Sequence, residues 1–389
     1  MKILMVNSVC GIRSTGRICT DLASALEEQG HEVKIAYGRE NVPDRFQKYA
    51  VRIGTDWDVK LHGLKARLFD ASGFGSKRAT EKFIEWVKQY DPDIIHLHNI
   101  HGYYINIEVL FQYLKTCGKK IIWTLHDCWA FTGHCVYFDY AGCEKWKEQC
   151  DCCPEKREYP ACIGISKSKQ NFQNKKSLFT GVPNLTIITP SVWLKKYVEC
   201  SFVKKYPVQV INNGIDTCMF KPTKSNIKQR FHLENKIIVL GVASIWDRRK
   251  GLSYLIELAK KLDDSYKVVV IGLNEKQVKQ LPDYMLGIHH TSNVQELVEW
   301  YSAADVYVNP TLEDNYPTTN LEAISCGTPC ITFQTGGSPE SAMLFGKVVD
   351  EIDGESIHSM LPKSKPQLDI DTISIRRMID AFISVYEVG

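Results

Sequence analysis

The sequence predicts an α/β protein of two doubly wound, Rossmann-like domains facing a central cleft. Three observations predict it. At 389 residues the chain exceeds what one hydrophobic core usually organises. Short, near-continuous apolar runs alternate with stretches of helical periodicity, the pattern of buried parallel strands and their crossover helices. That alternation starts afresh near residue 236, after a polar stretch.

The first round opens with a β-branched run over residues 3–6, then a glycine-containing loop, then a helical pattern in which Ile18, Leu22, Ala25 and Leu26 share one face. Gly30 stops that helix and residues 32–37 resume as a strand, completing a βαβ unit. Strands follow at 93–98, 120–125, 184–189 and 208–212, with a helix over 103–116. The second round has strands at 236–241, 267–271, 305–309 and 329–333, with helices near 251–262 and 318–326. Residues 213–216 and the polar segment 221–230 read as a linker region. The expected division is therefore 1–212, with a cysteine-rich insert near 128–165, and 213–370. Ile375, Met378, Ile379, Phe382 and Ile383 fall at helical spacing, so 371–389 is expected to be a helix that buries one face and packs back across the domains.

A hydrophobic fraction of 44% and a charged fraction of 24% argue against a disordered chain and against a polytopic membrane protein. The apolar start is shorter than a secretory h-region and no later run approaches a bilayer span, so cytoplasmic residence is expected. A net charge of +3 calls for no nucleic-acid partner. Lys60, Lys65, Arg67, Lys77, Arg78 and Lys82 lie in the N-terminal half, as do the pairs Lys175-Lys176, Lys195-Lys196 and Lys204-Lys205. They read first as a solvated face and second as a peripheral contact with the inner, anionic face of the cell membrane.

Open α/β sheets bind ligands at the carboxyl ends of their strands, so chemistry is sought in the loops that follow strands. Gly11 and Gly16 bracket the first such loop, where backbone can approach a ligand at a helix N-terminus; a tight turn explains the two glycines equally well. Arg248-Arg249-Lys250-Gly251 concentrates guanidinium and ammonium groups where a strand gives way to a helix, which suits a diphosphate. In Glu313-Asp314-Asn315-Tyr316-Pro317-Thr318-Thr319-Asn320-Leu321-Glu322, Pro317 near the first helical position leaves amides open to phosphate, and Glu322 on the helix can accept from ribose hydroxyls. His126-Asp127 ends a buried strand, where His126 would orient a sugar or stabilise charge.

These loops sit among further marks: Thr15-Gly16-Arg17, Gly30-His31-Glu32-Val33, Asp93-Ile94-Ile95-His96-Leu97-His98, Thr189-Pro190-Ser191, Asn213-Gly214-Ile215-Asp216, Leu321-Glu322-Ala323 and Cys326-Gly327-Thr328-Pro329. Together they make the chain resemble, along nearly its whole length, the retaining GT-B glycosyltransferases of family 4, of the bacterial polysaccharide-biosynthesis type. The resemblance implies retaining transfer of a hexose-type sugar from a UDP- or GDP-sugar, held mainly by the second domain, to a saccharide or lipid-linked acceptor held by the first. It implies that Lys250 and Arg249 meet the diphosphate, Glu322 the ribose and His126 the donor sugar. It further implies that the amides of Thr318 and Thr319 position phosphate or sugar hydroxyls and that Gly16 lies below the diphosphate. Positive groups then compensate charge on the departing nucleotide, and no metal is required for catalysis.

The sequence departs from the family pattern twice. Where the family has glutamates eight positions apart, the residue eight before Glu322 is Asp314, with Glu313 beside it, so either carboxylate is a candidate to reach the sugar. Where the family commonly has an arginine, this chain reads Ala243-Ser244-Ile245-Trp246, leaving Arg248 or Arg249 to replace it. A catalytically silent nucleotide-sugar sensor or scaffold, and a sugar-nucleotide epimerase, are the alternative functions.

The insert carries Cys128, Cys135, Cys143, Cys150, Cys152, Cys153 and Cys162 in a polar, aromatic loop. A long loop with little secondary structure needs a staple. Cys135, Cys143, Cys150 and Cys153 would supply the four thiolates of a tetrahedral structural zinc; buried reduced thiols and disulfides remain open beside it. A subset of the resembling family shows a similar Trp-Ala-Phe-Thr-Gly and cysteine pattern, which implies that the insert shapes the acceptor site.

Overall fold

The computed structural model describes residues 1–361 and 369–387. Residues 362–368 of the expected second domain and the last two of the expected terminal helix lie outside the described residues. The chain divides into two compact units, Met1–Asn212 with Ile379–Gly389, and Asn213–Met378.

The first unit runs β1 (Lys2–Val6), α1 (Arg13–Glu28), β2 (Glu32–Tyr37), β3 (Ala50–Arg52), α2 (Asp56–Phe69), α3 (Lys77–Tyr90), β4 (Ile94–Leu97), α4 (Ile107–Leu114), β5 (Lys120–Thr124), α5 (Ser168–Phe179), β6 (Leu185–Thr189), α6 (Val192–Cys200) and β7 (Val208–Val210). Its seven strands are parallel in the order β3-β2-β1-β4-β5-β6-β7. The order reverses between β1 and β4, so the loops after β1, β4 and β5 flank the crevice where such sheets bind ligands. Every residue of β4 is buried, His96 along with Ile94, Ile95 and Leu97, as a central parallel strand covered on both faces is.

Helices α2 and α3 fill the stretch between β3 and β4, α3 burying Ala79, Phe83, Ile84 and Val87 along one face. α2 is started by a capping box: Thr55 N–H donates to the Asp58 carboxylate at 2.8 Å and Asp58 N–H to Thr55 Oγ1 at 3.3 Å. α4 is shorter than the expected 103–116. Gly102 and Tyr103 have φ of +106° and +70°, which no helix accommodates, and Asn106 caps the helix by accepting from Val109 N–H at 3.1 Å.

The second unit runs α7 (Ile227–Arg230), β8 (Ile237–Val242), α8 (Leu252–Lys261), β9 (Tyr266–Ile271), α9 (Glu275–Gln280), β10 (Leu286–Ile288), α10 (Val294–Ala303), β11 (Val306–Asn309), α11 (Thr318–Ser325), β12 (Cys330–Phe333), α12 (Ser338–Ala342), β13 (Gly346–Val349), α13 (Gly354–Met360) and the start of α14 (Ile375–Glu387). Its six strands are parallel in the order β10-β9-β8-β11-β12-β13, with the reversal between β8 and β11. Residues 213–216 are not a free linker. Ile215 pairs with Ser374, and a Cβ on Gly214 would fall 2.5 Å from the Ser374 carbonyl oxygen, so this stretch is docked on the residues before α14. On α14 itself Met378, Phe382, Ile383 and Tyr386 are buried, and Tyr386 Oη lies 2.6 Å from His96 Nδ1.

Candidate functional site

In the second unit two strand-end loops are built against each other. The loop after β8 makes a tight turn, Arg248–Lys250, whose last amide is capped: Lys250 N–H donates to the Asp247 carboxylate at 3.0 Å. Gly251 closes the turn with φ +73°, and a Cβ there would lie 2.1 Å from the carbonyl oxygen of Pro310 at the end of β11. The turn is thereby pressed onto the neighbouring loop. Arg249 donates to the Glu313 carbonyl at 2.8 Å, and Leu312 N–H donates to the Arg249 carbonyl at 2.8 Å. The Lys250 ammonium pairs with the Asp314 carboxylate, their side chains 21% and 15% exposed. Burial pushes the Asp314 carboxyl up, but Lys250 and Arg249 beside it outweigh burial and hold it below the ordinary carboxylate range.

Behind that loop starts α11. Pro317 occupies the capping position rather than the first helical one, and no side chain caps the helix start. The start is fixed from within instead: Asn320 accepts from Asn309 Nδ2 at 2.8 Å and donates to Ser341 Oγ at 2.9 Å and Ser338 Oγ at 3.2 Å. Thr318 and Thr319 open the helix, with the positive end of its dipole at their amides. Glu322 is buried one turn on, and Tyr301 Oη donates to its carboxylate at 3.0 Å. Glu313 is buried beside Asp314. Thus Arg249, Lys250, Glu313 and Asp314 are brought together, with Thr318, Thr319 and Glu322 on the helix that follows the same loop. Asn320, Tyr301 and the Asn309–Ser338–Ser341 set were not singled out from sequence; only the topology that sets β11 beside β12 shows them.

In the first unit Gly16 is spoken for by its own turn. A Cβ there would come within 3.0 Å of Val9 Cγ2 and 3.2 Å of Gly11 N, whose N–H donates to the Gly16 carbonyl at 3.1 Å. The turn alone therefore accounts for both glycines. His126, just past β5, lies with His98, His101, Asp127 and Trp129 around one small cavity. His126 Nε2 is 3.0 Å from His98 Nδ1. Burial holds His126 down at about 4, with Asp127 raising it and His101 lowering it, and burial likewise pushes His96 and His98 far below the ordinary histidine range. These rings are neutral at neutral pH. Asp127 accepts from Trp129 N–H at 2.9 Å, pairs with His101 at 2.8 Å, and His101 Nδ1 lies 3.2 Å from Tyr159 Oη of the insert. The alternation His96, His98 on a buried strand was the one sequence signal for these partners.

The cysteines of the insert draw together. Cys135, Cys143, Cys150 and Cys153 line one small cavity with Trp146. The Cys135 thiol donates to Cys153, which pulls Cys153 down to about 7, and burial holds Cys150 up at about 11. All fourteen cysteines are unbridged. Among the described residues no group of three or more His, Cys, Asp or Glu side chains is arranged to hold a metal ion.

Residues 15–153 match the family model described as Glycosyltransferase Family 4, and residues 235–355 match the one described as Glycosyl transferases group 1. WcaC of Escherichia coli (strain K12), named for glycosyl transfer in colanic acid biosynthesis, is 25% identical over 391 aligned positions, covering 95% of this chain and 91% of that protein. A glycosyltransferase from Rickettsia africae ESF-5 superposes with a TM-score of 0.68 at 14% identity, covering 99% of this chain and 97% of the other. HepE of Anabaena, crystallised with UDP-glucose, superposes with a TM-score of 0.62 at 14% identity, covering 99% and 100%. At such identities the structural likeness is one of fold.

Proposed function

We propose, from the premise that the chain is a glycosyltransferase of the GT-B fold, that it moves a hexose-type sugar from a UDP- or GDP-sugar, with retention, to a saccharide or lipid-linked acceptor in cell-surface polysaccharide assembly. The observation that carries the donor half is the meeting of two strand-end loops, where Arg249 and Lys250 are pinned against Glu313 and Asp314 ahead of the open start of α11. In this reading Lys250 and Arg249 receive the diphosphate, the amides of Thr318 and Thr319 add to the positive field, and Glu322 accepts from the ribose. The cations then stabilise charge on the departing nucleotide as the glycosidic bond breaks. His126, of the first unit, is assigned to the transferred sugar and the Glu313–Asp314 pair supplies the carboxylate that faces it. The colanic acid role in WcaC's name supports the polysaccharide setting, and the UDP-glucose complex of the Anabaena protein makes UDP-sugars the first donors to try.

A panel of nucleotide sugars, incubated with purified protein and scored by thermal shift and by release of UDP or GDP, tests the reading. One donor is expected to stabilise the protein and to be slowly hydrolysed, faster with a lipid-linked saccharide, giving a product whose anomeric configuration matches the donor. Stabilisation without release under any acceptor would assign the site to sensing instead, and an inverted product would overturn retention.

A further inference from the structure

Helix α2 turns an apolar stripe away from the protein. Trp57, Leu61, Leu64 and Leu68 recur at spacings of four, three and four residues, so they share one face, and they are 72%, 57%, 54% and 37% exposed. The opposite face carries His62 and Ala66, both buried, which fixes the rotation of the helix and leaves the stripe outward. Two isoleucines of the insert extend it. Ile163 N–H donates to the Arg67 carbonyl at 2.9 Å and Ile165 N–H to the Leu68 carbonyl at 3.0 Å, while their side chains are 73% and 66% exposed. The insert can lie this close because Gly164 has no side chain; a Cβ there would fall 2.0 Å from the Leu68 carbonyl oxygen. A contiguous exposed patch of this chemistry marks an interaction surface.

Beyond the first turn of α2 the charge around the stripe is all positive. At 100° per residue Lys65 falls on one flank and Lys60 and Arg67 on the other, all exposed. The two acids of the helix, Asp56 and Asp58, are confined to its first turn, where Asp56 pairs with Arg52 and Asp58 closes the cap with Thr55. We propose that this face docks on an anionic lipid bilayer, with Trp57, Leu61, Leu64, Leu68, Ile163 and Ile165 at the headgroup–acyl boundary and Lys60, Lys65 and Arg67 against the headgroups. The attachment is peripheral: among the described residues no helix is long and apolar enough to cross a membrane.

The full chain is mixed with phosphatidylcholine vesicles, with and without phosphatidylglycerol, and the bound fraction is read by flotation with no sugar nucleotide present, so the outcome is independent of the transfer reaction. Binding to the anionic vesicles, weakened by salt, is expected. Leu61→Asp with Leu64→Asp should lower the partition coefficient at least about tenfold. Lys60→Gln with Lys65→Gln should lower it by roughly 25-fold, about fivefold per charge. These side chains are exposed, and an unchanged urea midpoint confirms that the variants fold. No binding to anionic vesicles, equal binding to neutral ones, or full binding by the aspartate variant would each overturn the proposal. So would a self-associating chain, seen by sedimentation, that the aspartate variant renders monomeric.

Discussion

Lys250 and Asp314, 64 residues apart, form an ion pair that ties the turn after β8 to the loop after β11. In the proposed reading an arriving diphosphate competes with Asp314 for that ammonium, so the pair would set where the anion is received and hold the lysine ready. Lys250→Ala is expected to lower turnover by ~10²–10³-fold and to weaken donor binding. It also leaves Asp314 enclosed without its partner, which should reduce unfolding stability by about 1–3 kcal/mol. Steady-state nucleotide release and urea denaturation of the same variant check both effects.

His98 reaches the site through His126. Its Nε2 is buried with no hydrogen-bond partner among the described residues, and a bare acceptor nitrogen costs less there than a bare N–H. The proton is therefore placed on His98 Nδ1 and donated to His126 Nε2, which puts the proton of neutral His126 on Nδ1. As a positioning residue, His98 should affect kcat more than KM. His98→Phe is expected to lower kcat by about tenfold with donor KM little changed, and His98→Gln to recover part of the loss. An equal loss in both variants, confined to KM, would contradict the assignment.

Stability should fall on mild acidification. Burial lowers His62 and His126 to about 4 and His96 further, against an unfolded value near 6.5. The folded state thus binds fewer protons, and the stability these rings contribute is full above the unfolded value and is lost as pH falls through the folded one. Between pH 7.5 and pH 4.5 the unfolding free energy should drop by on the order of a few kcal/mol. His62→Gln, distant in sequence from the strand-end histidines, should flatten the profile, as urea titrations at the two pH values would show.

Ten strands were legible because burial leaves an apolar run, whereas the half-exposed edge strands β3, β10 and β13 were not, and the two chemical loops were legible because cations or acids next to a strand end have few other uses. What sequence could not supply was pairing at a distance. The fit of Gly251 against Pro310, the Asn309–Asn320 bond and the His98–His126 contact all depend on β8 lying beside β11 and β4 beside β5. The basic residues of α2 were visible, but the outward stripe between them was not, since an apolar face at helical spacing reads as core until burial shows which side is covered. The linker expected at 213–216 went the other way: its polar character hid the docking of Gly214 and Ile215 on Ser374.

The donor site is tested most directly by titrating UDP- and GDP-sugars into the native chain and into Glu322→Ala by calorimetry, because Glu322 is buried on α11 and is assigned to the ribose alone. The account predicts that one nucleotide sugar binds the native protein and that the variant, still folded by circular dichroism, binds it at least about tenfold more weakly. Equal affinity in the two proteins, or no heat with any donor, would contradict it.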